Sequence, residues 1–175
     1  MPEMKVTPLG EAATLIAGGW PTHCVSLLDP GTRLPRRAPH HLVLEFEDLA
    51  LDQRSRPAVL PTPDDVAAIL RFTAGLGDGA RLLVHCHIGH GRSPAVAIGI
   101  LVHNGWTVSR ACSEVRSQRP HCDPNRLLLE LFDRALGLGG VLPGAARHRP
   151  GTGPRTEGGL LLPPGLVRPD GAGRP

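Results

Sequence analysis

A chain of 175 residues with 41% hydrophobic content is the size of one globular domain around one core. Its formal charge of +3 belongs to the stretch from Leu138 onward, where Arg147, Arg149, Arg155, Arg168 and Arg174 face only Glu157 and Asp170; the rest is neutral, and no nucleic-acid partner is expected. No run approaches the ~18 apolar residues of a membrane span, and the start MPEMKVTPLGEAATL lacks the basic-then-apolar pattern of a secretory leader, so a cytoplasmic protein without a membrane span is expected, monomeric by default.

The first elements are a short extended Met4–Val6, then Thr7 as a helix cap with Pro8 at the first helical position, and a helix to about Ala17. Gly18 and Gly19 end it. THCVSLL, residues 22–28, reads as a buried strand stopped by the turn Asp29-Pro30-Gly31. The alternation of Leu42, Leu44 and Phe46 predicts a strand that delivers Glu47 and Asp48 at its end, before a polar loop. Thr62-Pro63-Asp64-Asp65 opens a helix with a cap, a proline at the first position and acids where the helix dipole favours them.

RLLVHC, residues 81–86, is a short apolar run of the kind buried in a parallel sheet, followed at once by a glycine-bearing loop and by Ser93-Pro94 as a cap pair. Three helices are predicted after it: Pro94 to about His103, one from Thr107, and one opened by Asp123-Pro124 with Leu128, Leu131, Phe132 and Ala135 on one stripe. Strands alternating with helices, then a run of helices, imply an α/β fold with a small, mainly parallel sheet flanked by helices. Residues 1–137 form this domain. The segment 138–175 holds 10 of the 22 Gly and 7 of the 19 Pro and is expected to be a disordered tail.

The sequence HCHIGHGRS, residues 85–93, carries the chemistry. Five residues between Cys86 and Arg92 let the backbone curl into a cup with its N–H groups inward, and Gly89 and Gly91 supply conformations that side chains resist. The following helix offers its positive end to the same anion, which makes the loop a nest for phosphate. Arg92 can give a bidentate pair of charge-assisted bonds to two phosphate oxygens, a role lysine would not fill. A cysteine at a helix N-terminus beside a cation is placed to be a thiolate nucleophile, and Ser93 to hydrogen-bond that thiolate when it leaves, or to act as a plain cap. Cys24, Cys86, Cys112 and Cys122 lie far apart without CxxC spacing and are expected to be reduced thiols.

HCHIGHGRS fits the HCxxGxxR(S/T) signature of the protein-tyrosine-phosphatase superfamily and resembles its compact dual-specificity and bacterial branches. Arg119-Pro120 and Asp123-Pro124-Asn125 are similar to the RP…PN segment of those enzymes. The resemblance spans roughly residues 4–137. It implies a four-stranded sheet, Cys86 as nucleophile through a phosphocysteine intermediate, Arg92 on the phosphate, the loop residues His87, Ile88, Gly89, His90 and Gly91 around it, and neither cofactor nor metal. It also implies an aspartate general acid on a loop after an earlier strand: Asp48 is the first choice, since it follows its strand directly, and Asp52 the second. His85 is implied to hydrogen-bond the loop, against the alternative of a satisfied core histidine.

The substrate implied is a phosphorylated protein, phosphotyrosine first, with phosphoserine and phosphothreonine beside it. His87 and His90 stand where phosphoinositide phosphatases carry lysines, which makes an inositol phosphate the alternative to incidental variation at these two positions; histidine titrates near neutrality, so such a preference would strengthen on acidification. Two non-enzymatic alternatives are a phosphate-binding module with weak turnover and a zinc site of His85, Cys86, His87 and His90. The second is disfavoured because neighbouring side chains on a strand point to opposite faces.

Overall fold

The computed structural model describes residues 2–34, 36–48 and 58–147. The elements are β1 (Glu3–Pro8), α1 (Leu9–Ala17), β2 (His23–Leu28), β3 (His40–Glu45), α2 (Pro63–Thr73), β4 (Arg81–Cys86), α3 (Arg92–His103), α4 (Val108–Gln118), α5 (Arg126–Leu136) and α6 (Val141–Arg147). The four strands form one parallel sheet in the order β1-β4-β2-β3, which places the loops after β2, β3 and β4 along one edge, where parallel sheets bind ligands.

Both faces of the sheet are covered. Val25, Leu27, Leu82, Val84 and Cys86 face α2, α3 and α5 in the main core; Cys24 and Leu83 face Ala12 and Ile16 of α1 in a smaller one. The central helix α3 is buried from Arg92 to Leu101, and the Phe132 ring of α5 fills the space a β-carbon on Gly99 would need. Each fully buried Leu, Ile or Phe in such a core contributes about 1.5–3 kcal/mol.

β4 has the predicted bounds, and α2 opens at the predicted cap, which the structure closes into a capping box: Thr62 Oγ1 accepts from the Asp65 N–H (3.3 Å) and Asp65 Oδ2 accepts from the Thr62 N–H (2.8 Å). Four expectations are corrected. Thr7 is not a helix cap: it is a buried residue of β1, opposite His85, and Pro8 is the N-cap of α1 without a side-chain bond. Ser93 is not a cap either, because the chain enters α3 two residues early, with Gly91 as N-cap accepting from the Ala95 N–H. α5 is capped by Asn125, whose Oδ1 accepts from the Leu128 N–H at 3.1 Å, rather than by Asp123-Pro124.

The fourth concerns the boundary at residue 137. Helix α6 continues the fold to Arg147 in spite of its Gly and Pro, because the buried Asp133 carboxylate takes the N–H groups of Gly140 (2.6 Å) and Leu142 (2.8 Å) at its start. Pro143 sits in the first turn, where no N–H is needed, and Leu142 and Ala146 are buried against the core. The remainder of the expected tail, 148–175, lies outside the described residues. No helix among the described residues is long and apolar enough to cross a membrane.

Candidate active site

The loop from Cys86 to Arg92 leaves the carboxyl end of β4 and runs into α3. Its shape is set by where its carbonyls go. The His87 carbonyl accepts from the Leu9 N–H (3.1 Å), His90 from Asp123 (3.0 Å) and Gly91 from Asn125 (3.0 Å). Ile88 and Gly89 accept from the Arg119 guanidinium, at 3.3 Å from Nη2 and 3.2 Å from Nε. Five consecutive carbonyls are thus held outward by α1, the residue after α4 and the start of α5. A trans peptide points its N–H away from its C=O, so the N–H groups of residues 88–92 are turned into the cup. One is seen there directly: the Gly89 N–H donates to Cys86 Sγ at 3.2 Å.

Gly89 is required twice over. Its φ is +72°, and a β-carbon there would lie 2.9 Å from the Pro8 nitrogen. Ser93 reaches back from the first turn of α3 and donates its hydroxyl hydrogen bond to Cys86 Sγ at 3.2 Å, so the sulfur receives two donors from within its own loop. Bonds of this kind favour a charged acceptor.

Arg92 is buried, and its planar head is held by one edge. Nη1 lies 2.6 Å from the Phe46 carbonyl and 2.9 Å from Asp29 Oδ1, while Nε is buried without a hydrogen-bond partner. A guanidinium fixed at Nη1 with Nε unused is prepared for an oxyanion. Asp48 lies beside it, Oδ2 at 3.7 Å from Nε, with Oδ1 accepting from Asn125 Nδ2 at 2.8 Å. The strand ends thus bring Asp29, Asp48, Cys86 and Arg92 to one place. Asp52 lies outside the described residues.

Two of these residues carry work that sequence reasoning missed. Asp29 reads as a turn former, and its carbonyl does accept from the Thr32 N–H, but its carboxylate is an Arg92 anchor. Its position at the carboxyl end of a strand was the available signal. Asn125 caps α5, binds the Gly91 carbonyl through its N–H and orients Asp48 through its side chain.

His85 and Cys86, neighbours in sequence, face opposite sides of the sheet. The His85 ring is fully buried, with Nε2 2.5 Å from Ser26 Oγ, which is also 2.6 Å from His41 Nε2. Nδ1 makes no hydrogen bond of good geometry. Burial pushes His85 down to about 4; the Cys86 backbone opposes this and His41 adds to it. Burial, then the Arg37 charge, puts His41 at about 4 as well. His87, Ile88 and His90 are exposed at the rim, Ile88 by 70%, so His85 and the two rim histidines do not form a common metal site with Cys86.

No family model matches the chain. Mouse dual specificity phosphatase 28 is 32% identical over 123 residues, covering 68% of this chain and 70% of that protein. Among solved structures, human DUSP28 is similar over 79% of this chain and 96% of its own (25% identity, TM-score 0.52). The Yvh1 phosphatase domain from Chaetomium thermophilum is similar over 78% and 91% (25% identity, TM-score 0.55). With a parallel sheet that ends in a cysteine cup and a relative sharing its sequence over two thirds of both chains, this protein is a cysteine-dependent phosphatase and belongs to the dual-specificity branch of the protein-tyrosine-phosphatase superfamily.

Proposed function

We propose that the protein hydrolyses phosphomonoesters on proteins, phosphotyrosine first and phosphoserine or phosphothreonine with it, through a phosphocysteine intermediate on Cys86. The observation that carries this is the pair of donors on Cys86 Sγ, Gly89 N–H and Ser93 Oγ, at the floor of a cup whose carbonyls all point outward. The Cys86 thiolate attacks phosphorus while Arg92 and the loop N–H groups of residues 88–92 hold the equatorial oxygens. The bond to the leaving oxygen breaks, and Asp48 gives that oxygen a proton. Asp48, now a carboxylate, takes a proton from water as the water attacks phosphorus; the S–P bond breaks and the Ser93 hydroxyl stabilises the departing thiolate. His85 supports the strand end from behind. A cytoplasmic location fits four unpaired cysteines.

The exposed Ile88 at the rim supports an aromatic ring over the cup, and the dual-specificity relatives support phosphoprotein substrates. A second reading rests on His87 and His90, both exposed on the same rim: they suit a polyanionic inositol phosphate. Turnover of phosphopeptides, inositol phosphates and RNA 5′-phosphates, measured on wild type and Cys86→Ser at two pH values, tests both. Phosphopeptide turnover that vanishes in Cys86→Ser supports the first reading. Turnover of inositol phosphates alone, rising on acidification, replaces it with the second. No Cys86-dependent turnover of any of them refutes both.

A further inference from the structure

On the face of the sheet away from the nucleophile, four side chains converge that the phosphatase chemistry does not explain. The register pairs Cys24 of β2 with His41 of β3, and Ser26 of β2 with His85 of β4. Side chains alternate along a strand, so Cys24, Ser26, His41 and His85 stand together on the side covered by α1. One ligand atom from each of Cys24, His41 and His85 lies within 4.8 Å of the others. Cys24 and His85 are fully buried and His41 half-buried.

We propose that Cys24, His41 and His85 form a binding site for a zinc-class divalent ion on the α1 face of the sheet, behind the phosphate loop. Thiolate sulfur and imidazole nitrogen are the donors such ions prefer, at about 2.3 Å and 2.0–2.1 Å. The point on which the two rings converge is marked by Ser26 Oγ, 2.5 Å from His85 Nε2 and 2.6 Å from His41 Nε2, with Cys24 Sγ 3.7 Å from the same oxygen. An ion takes nearly the place of that hydroxyl, which swings aside. As the S–metal bond forms, Cys24 releases its S–H proton to solvent, and the two imidazoles bind through unprotonated nitrogens. His41, at the edge of the cluster, and a cavity of about 140 Å³ between α1 and residues Leu34 and Arg36, which reaches the His85 ring, give access.

A hydrogen-bonded network with Ser26 as its hub is the competing account, and the two differ on Ser26. The test uses Cys86→Ser protein, so that the active-site sulfur contributes nothing, titrated with Co²⁺ as a spectroscopic stand-in for zinc. The expected result is a thiolate-to-cobalt charge-transfer band at one equivalent, abolished by adding Cys24→Ser, weakened about tenfold or more in affinity by His41→Ala, and retained or strengthened by Ser26→Ala. His41→Ala, at a half-buried position, keeps the test informative if Cys24→Ser fails to fold. Absence of the band, its persistence in Cys24→Ser, indifference to His41→Ala, or its loss in Ser26→Ala overturns the proposal. None of these readouts depends on phosphatase turnover.

Discussion

Gly91 and Asp48 interlock: a β-carbon on Gly91 would lie 2.5 Å from Asp48 Oδ2 and 2.7 Å from Oδ1. Contrary to the expectation from the sequence, which holds for Gly89 alone, the Gly91 backbone, with φ −105° and ψ −70°, is open to any L-residue, so the glycine is there for the carboxylate and not for the turn. Gly91→Ala is therefore expected to keep the fold and displace the acid. General acid catalysis contributes roughly 10²–10⁴-fold. Gly91→Ala and Asp48→Asn should each slow hydrolysis of aryl phosphates with poor leaving groups by about that much, leave good leaving groups nearly untouched, and combine without adding. A leaving-group series of kcat/KM on both variants checks this. Equal losses across the series would remove Asp48 from the role.

Ser93 is expected to separate the two steps of the proposed reaction. Its hydroxyl reaches Cys86 Sγ rather than a backbone N–H, and a hydrogen bond to a charged group contributes about 1.5–3 kcal/mol. Since the thiolate departs only in the second step, Ser93→Ala should lower kcat by about 10–100-fold and make the phosphocysteine accumulate. The measurement is a pre-steady-state burst with an aryl phosphate, larger and more persistent than in wild type. A fall in the first-step rate alone, with no burst, contradicts the assignment.

Asp29 holds the outer edge of Arg92 at 2.9 Å, and its side chain is 47% exposed. An ion pair this open to solvent contributes at most about 1 kcal/mol. Asp29→Ala should therefore raise the KM for substrate and the inhibition constant of inorganic phosphate together, about fivefold, with kcat less affected. Asp29→Asn keeps an acceptor for Nη1 and should recover most of the loss. Raised salt should shrink the difference between wild type and Asp29→Ala.

The parts of the fold legible in the sequence are those fixed by local pattern. RLLVHC is recognisable as β4 because it is short, apolar and bounded by a turn and a glycine loop; Thr62 to Asp65 is recognisable because a cap, a proline at the first position and acids fall within four residues. The illegible parts depend on partners distant in the chain. Helix α6 looks like a Gly-Pro tail until Asp133 supplies its first two acceptors. Asp29 looks like a turn until the parallel register sets it beside Arg92. The ties of the His85 ring to Ser26 and His41 are a relation that exists only once β2, β3 and β4 are paired. Ser93 was open between cap and catalytic donor, and the early entry into α3 at Arg92 decides its geometry.

The four thiols should differ sharply in reactivity. Burial pushes Cys24 up to about 12 and raises Cys112 and Cys122 too, against the opposing Arg116 charge near the latter two. These three stay protonated across the physiological range, and a protonated, buried thiol is a poor nucleophile. Cys86 is equally buried, at 1% exposure, but it lies at the floor of a cup built for anions and receives two hydrogen bonds. Iodoacetate, itself an anion, should accordingly modify one thiol ahead of the others, with complete loss of phosphatase activity, and peptide mapping should place the label on Cys86. Inorganic phosphate should protect in proportion to its occupancy of the cup, and neutral iodoacetamide, which Arg92 does not attract, should react more slowly. Prior labelling of Cys24, Cys112 or Cys122, or labelling of Cys86 that phosphate does not slow, would mean that the loop does not gather anions onto its sulfur.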